Sequence, residues 1–183
     1  NRRSRGLGDV YKRQVEDCFM LTLGTGVGGA IFSGGKLVTG HIGRAGHLGH
    51  ISLNPRGPGD ICNTPGSLED LVGDCTIQQR SKFESTHKLV AAAAEGDAEA
   101  YAAWDEVILN LAAGIAGLIN VLDPEVVLIG GGIAKADVDL FVPLEQKLAA
   151  FEWRPNDHQV KVKKAELGEW AGCYGAVHFA QVA

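Results

Sequence analysis

The chain has 183 residues, 45% of them hydrophobic, and a mean hydropathy of +0.02, which is globular composition with enough material for one sizeable core. No apolar run in the sequence suggests a membrane span of ~20 residues, and the cysteines Cys18, Cys62, Cys75 and Cys173 form no CxxC pair, so reduced thiols in a cytoplasmic protein are expected. The formal net charge of the whole chain is −5.

Residues 1–14, NRRSRGLGDVYKRQ, differ in character from the rest of the chain. They hold five of the seventeen basic residues (Arg2, Arg3, Arg5, Lys12 and Arg13) and one acid, Asp9, with no apolar periodicity. A basic arm or targeting peptide is one reading. The preferred one is that DVYKRQ is the in-frame translation of a transposon end used to prepare sequencing libraries, so that 1–14 is non-native and 15–183 is the domain. Without the segment, 12 basic and 21 acidic residues leave a net charge of −9, which argues against a nucleic-acid surface in the remainder.

From Val15 onward, CFMLTL, AIF and KLV are short β-rich runs separated by GTGVGG and SGG, which predicts an antiparallel meander of three strands. Residues 40–67 are rich in glycine, proline and polar groups and predict a long loop, which in a compact domain is usually functional. The stretch 67–81 predicts a helix capped by Ser67, with Glu69 and Asp70 at the positive end of its dipole. A longer helix is predicted over 97–122, stopped by Asp123-Pro124, then a buried strand over 126–130, a helix over 137–151, a strand over 159–163 and a helix over 170–182. The order predicts a mixed α/β lobe with helices on both faces.

Two glycine clusters end predicted strands. In Gly24-Thr25-Gly26-Val27-Gly28-Gly29, main-chain N–H groups and the Thr25 hydroxyl can converge on an oxyanion. A strand rather than a helix comes next, so this is no dinucleotide fingerprint. Gly130-Gly131-Gly132 closes the strand 126–130, at the edge where open α/β sheets place ligands. Each cluster alone is equally well a tight turn; the pair favours a split nucleotide site.

The most specific stretch begins with Gly46-His47-Leu48-Gly49-His50. It continues through Gly57 to Asp60-Ile61-Cys62-Asn63-Thr64-Pro65-Gly66-Ser67-Leu68-Glu69. With GTGVGG before it and VVLIGGGIAK after it, this resembles the ROK family (repressor, open reading frame, kinase) across nearly all of 20–183. The family pattern is a Gly-His followed by C-x-C-G-x-x-G-C-x-E.

The resemblance implies an α/β fold: the C-terminal lobe of an actin-like (ribonuclease H-like) ATPase, with the N-terminal lobe in a longer protein. It implies ATP-dependent phosphorylation of a hexose in a glucokinase-like manner, with ATP and Mg²⁺, a homodimer in the longer protein, and no membrane. It places nucleotide contacts at Gly24, Thr25, Gly26, Gly28, Gly130, Gly131 and Gly132, and sugar contacts at His47, His50 and Glu69. Glu69 is thereby expected to serve the sugar and leave the phosphate loop untouched. The alternative within the family is the effector-binding lobe of a sugar-responsive repressor, which carries a helix-turn-helix upstream.

Three departures from the family pattern matter. The family's structural zinc is held by one histidine and three cysteines, and the matching positions here are His50, Asp60, Cys62 and Ser67. Two thiolates are missing and a neutral serine is a poor ligand, so zinc is not expected unless His41 or His47 completes the set. His47 stands where the family carries a sugar-binding glutamate. The catalytic aspartate, roughly twenty-five residues before the GTG loop in the family, has no match in 15–183, so the chain by itself is expected not to turn over.

Overall fold

The computed structural model describes residues 15–166. Strands β1 (Cys18–Leu23), β2 (Val27–Ser33) and β3 (Lys36–Leu37) form the expected antiparallel meander. The Gly34-Gly35 turn between β2 and β3 has φ of 56° and 72°, the positive values a two-residue hairpin needs and glycine reaches without steric cost. Strand β4 (Val126–Gly130) lies parallel beside β1, and β5 (Lys161–Lys164) parallel beside β4, giving the order β3-β2-β1-β4-β5.

The period of two along β1 decides which face is core. Phe19, Leu21 and Leu23 are buried completely and share a face, through their registers, with Val127 and Ile129. Cys18, Met20 and Leu128 point to the other face and are only partly covered. Among the described residues one face carries the hydrophobic core, whereas helices on both faces were expected; the helix predicted over 170–182 lies outside the described residues.

The predicted helix over 67–81 is in fact two. Helix α1 (Leu68–Val72) is capped by Ser67, whose side chain accepts from the Asp70 N–H, and it ends at Gly73. A 3₁₀ turn over Asp74–Thr76 leads into α2 (Ile77–Arg80). The break has a cause in the tertiary structure: the N–H groups of Asp74 and Cys75 donate to the carbonyls of Gly24 and Thr25 at 2.9 and 2.8 Å. A Cβ on Gly73 would stand 2.8 Å from the Glu69 carbonyl and 2.9 Å from that of Thr25. The chain leaves the helix in order to dock on the glycine loop.

Helix α3 (Thr86–Ala94) was not expected from the sequence; Ser85 caps it by accepting from the Lys88 N–H. Helix α4 (Ala98–Leu122) starts where predicted, with Asp97 accepting from Glu99 and Ala100, and ends at Asp123 in the left-handed region. By length and composition α4 is the one described helix apolar enough to cross a membrane, contrary to the sequence reading. Its apolar residues serve the core instead, with Leu111, Ala112 and Ile115 wholly buried. Helix α5 (Val138–Phe151) contains Pro143. Proline has no N–H to return to the carbonyl four residues back. That carbonyl, of Asp139, instead accepts from the Trp104 indole of α4 at 2.9 Å.

Candidate functional site

Parallel pairing of β1 with β4 brings their carboxyl ends side by side, with Thr22 opposite Gly130, so the two glycine clusters meet. Gly131 has φ of 89°, and a Cβ there would stand 2.3 Å from the Leu23 carbonyl oxygen, so the turn lies flat on the end of β1. Gly28 faces Thr22 across the hairpin, where a Cβ would come within 2.6 Å of the Thr22 hydroxyl. Gly24 and Gly132 are different: nothing lies within 4 Å of where a Cβ would be. The chain's own packing does not require glycine at these two positions, and both open onto a cavity.

That cavity has a volume of about 670 Å³, within the range of small-molecule sites. Gly24, Thr25 and Gly132 form one end, and Val90, Ala91 and Ala94 of α3 form an apolar wall. Asp74 also lines it, its Oδ1 accepting from the Thr86 N–H and hydroxyl at 2.5 and 2.8 Å. A second cavity of about 400 Å³ has Gly24 to Gly28 on one side and His47, His50 and Glu69 on the other. Gly24 and Thr25 line both cavities. Two ligands would therefore meet across this loop, one flanked by apolar surface and one by imidazole and carboxylate.

The second cavity's polar residues are placed by close backbone contacts. A Cβ on Gly49 would stand 2.1 Å from the Val27 carbonyl, and Gly46, with φ of 91°, lies against Gly29. The 3₁₀ turn Leu48–His50 thus seats on β2. The rings of His47 and His50 stack with centroids 6.2 Å apart and planes 26° apart. Glu69 is held less simply than expected. Its Oε2 accepts the Val27 N–H at 2.9 Å, and a Cβ on Gly26 would stand 2.3 Å from that same oxygen. The carboxylate is part of the glycine loop's support, so the expectation that Glu69 leaves the loop untouched is corrected.

Asp60 is the most buried acid of this region and sits at the centre of the 50–67 loop. Its Oδ2 lies 2.7 Å from His50 Nδ1, and its Oδ1 accepts from the N–H groups of Cys62 and Thr64 at 2.8 and 2.9 Å. Burial works against its charge, but the hydrogen bonds from His50, Thr64 and Cys62 outweigh it and hold the carboxyl well below the usual aspartate range. A carboxyl lowered on folding adds stability above its unfolded value, near pH 4, and loses it as pH falls through the folded value. Wild type should therefore exceed Asp60→Asn in urea midpoint at about pH 6, and the gap should narrow towards about pH 3. A gap that does not change with pH would refute this account.

For zinc, three of the four positions expected from the sequence come together, since ligand atoms of His50, Asp60 and Cys62 lie within 4.8 Å of one another. They do not make a closed tetrahedral set. Both Asp60 oxygens are taken by hydrogen bonds, and the Ser67 oxygen accepts from Asp70 at 3.2 Å. His41 and His47 do not belong to this cluster.

The residues that sequence reasoning missed are those of the larger cavity's wall: Asp74, Thr86 and the apolar face of α3. The available signal was Ser85 before an alanine-rich run, a cap without a marked apolar stripe.

The sequence pattern of the ROK family matches residues 8–183. The glucokinase of Thermotoga maritima is 35% identical over 175 residues, covering 85% of this chain and 55% of that protein. The N-acetylmannosamine kinase of Escherichia coli O9:H4 is 31% identical over 176 residues, covering 91% of this chain and 57% of its own. Among solved structures, a ROK family glucokinase from Streptomyces griseus in complex with glucose and AMPPNP superposes with a TM-score of 0.80 at 27% identity, covering 93% of this chain and 62% of that one. The chain thus spans a little over half the length of the curated relatives it matches.

Proposed function

Because this chain belongs to the ROK family, with the actin-like ATPase fold of its sugar kinases, we propose that it is the C-terminal lobe of an ATP-dependent hexose kinase. The observation that carries the reading is the meeting of two chemically different cavities at Gly24 and Thr25. ATP occupies the larger one, its base against Val90, Ala91 and Ala94 and its phosphates over the bare backbone of Gly24 and Gly132. Mg²⁺ enters as part of the metal–ATP substrate. The sugar occupies the smaller one, where His47, His50 and Glu69 hydrogen-bond its hydroxyls.

Phosphoryl transfer then needs little covalent help from the protein. It needs alignment of the two ligands and N–H groups aimed at the charge on the transferring group. The Gly24–Gly28 loop lies between the cavities and aligns the two ligands; with the Gly24 N–H given to the Gly26 carbonyl and the Val27 N–H to Glu69, the N–H groups it brings to the phosphates are those of Thr25 and Gly26. The base for the attacking hydroxyl is the missing element. Glu69 is the one described carboxylate lining the smaller cavity, and one of its oxygens is committed to Val27. We assign the base to the aspartate that ROK kinases carry upstream, in the longer protein. Free thiols at Cys18, Cys62 and Cys75 fit a cytoplasmic setting for that protein.

A coupled assay with ATP and a panel including glucose and N-acetylmannosamine tests the reading. The longer protein should phosphorylate at least one sugar, and the 183-residue chain none, a loss of at least the ~10²–10⁴-fold attached to a missing base. Ordinary turnover by the chain alone would refute the assignment of the base. A longer protein that binds hexose yet turns over none, with a helix-turn-helix upstream in place of Asp-x-Gly-Gly-Thr, would establish the repressor instead.

A further inference from the structure

We propose that Asp60 is a positioning residue that does the organising work of the family's zinc ion, and that it fixes His50 in the tautomer with the proton on Nδ1. The inference stands apart from the kinase reading, since none of its readouts needs turnover.

A structural zinc ion ties several chain segments to one point through ligands at about 2.0–2.3 Å. In this chain the same segments are tied to one carboxylate. Asp60 holds the turn at His50 and the N–H groups of Cys62 and Thr64, in the loop that leads to Ser67 and the start of α1. Its side chain is fully buried, so these bonds are made away from water, where leaving one unmade is costly. A metal entering between His50 and Asp60 would have to displace a 2.7 Å hydrogen bond, and it would find one thiol where the family offers three.

The exchange of a cation for an anion has a chemical consequence for His50. A metal takes a ring nitrogen's lone pair, so the other nitrogen of that ring keeps its proton and donates. An ionised carboxylate only accepts, so His50 Nδ1 must carry the proton and Nε2 is left as an acceptor. The Cys62 thiol, 3.6 Å from Nε2, is placed to donate weakly to it. His50 Nε2 is therefore an acceptor, facing the Cys62 thiol, where a metal-bound histidine would carry a donor, and the same ring lines the smaller cavity.

The full 183-residue chain serves for the test. Two-bond ¹H–¹⁵N spectra at about pH 8, above the ordinary histidine range, should show His50, assigned with His50→Gln, as the Nδ1–H tautomer. In Asp60→Asn the amide oxygen can keep the Cys62 and Thr64 N–H groups, which turns the amide NH₂ towards the ring. The tautomer should then switch to Nε2–H. After incubation with zinc and dialysis, wild type should keep far less than one zinc per chain, with a melting temperature indifferent to chelator. The Asp60→Cys/Ser67→Cys double variant should keep about one zinc per chain and melt earlier on chelation. Nε2–H in the wild type, an unchanged tautomer in Asp60→Asn, or stoichiometric wild-type zinc lost together with folding would each overturn the proposal. So would a folded double variant that takes no zinc. If Asp60→Asn fails to fold, the wild-type tautomer and the metal measurements decide alone.

Discussion

Replacing Gly131 by alanine is expected to destabilise the chain by about 3–5 kcal/mol, among the largest effects of a single methyl. Two costs add. At φ of 89° an L-residue is strained by roughly 1–2 kcal/mol. The new Cβ would also stand 2.3 Å from the Leu23 carbonyl oxygen and 2.7 Å from the Leu23 nitrogen. Both are backbone atoms of a central strand, so the neighbour cannot swing away as a flexible side chain would. The turn must lift off β1, which pulls the two glycine clusters apart. Gly132→Ala is the matched control. It has no positive φ and nothing within 4 Å of the added methyl, so its stability should stay within about ±0.5 kcal/mol of wild type. Urea unfolding of both variants checks the pair. A Gly131→Ala variant within error of wild type would mean the turn does not rest on β1 as described.

The second large effect separates two tasks of Glu69. Glu69→Ala removes a charged acceptor from the smaller cavity and should weaken sugar binding to the longer protein by about 1.5–3 kcal/mol, roughly 10- to 150-fold in Kd. It also leaves the buried Val27 N–H without its acceptor, so the Gly26–Val27 backbone loses its anchor and ATP should bind more weakly as well. Glu69→Gln keeps an amide oxygen for Val27 while losing the charge. It should therefore spare ATP and weaken the sugar less than alanine does. Calorimetric titration of a hexose and of ATP against both variants reads this out. Equal ATP affinities for wild type and Glu69→Ala would show that the Val27 bond does not hold the loop. An unchanged sugar affinity would show that the carboxylate does not face the sugar.

What the sequence made legible was what local chemistry and period determine. The β-rich run CFMLTL and the Gly34-Gly35 turn lead to the meander, and the apolar run VVLIG leads to β4. Asp97 and Asp123-Pro124 mark both ends of α4 within a residue. The meeting of the two glycine clusters was inferable because each ends a strand. What escaped depends on contacts between distant segments. The 67–81 stretch has the caps and pattern of one helix, and only the Asp74 and Cys75 bonds to Gly24 and Thr25 explain its break at Gly73. Helix α3 is rich in alanine, whose helical preference leaves no apolar stripe to read, and it gains its place from packing on α4. Asp60 in a zinc pattern reads as a lost ligand, and its role as a hydrogen-bond centre needs three dimensions.

The docking of the Gly73 break on the glycine loop, together with the Glu69 bond to Val27, makes α1 and that loop one mechanical unit. On the proposed reading, this constrains how the lineage can acquire new substrates. On that reading, mutations on α1 that reshape the sugar's surroundings would also disturb the loop that holds ATP. His47 is exposed, precedes the Leu48–His50 turn and makes no capping bond through its side chain. A change there leaves the unit intact. On the same reading, position 47, where the sequence resemblance implies a sugar-binding glutamate and this chain has histidine, is a place at which sugar preference can change without loosening that unit.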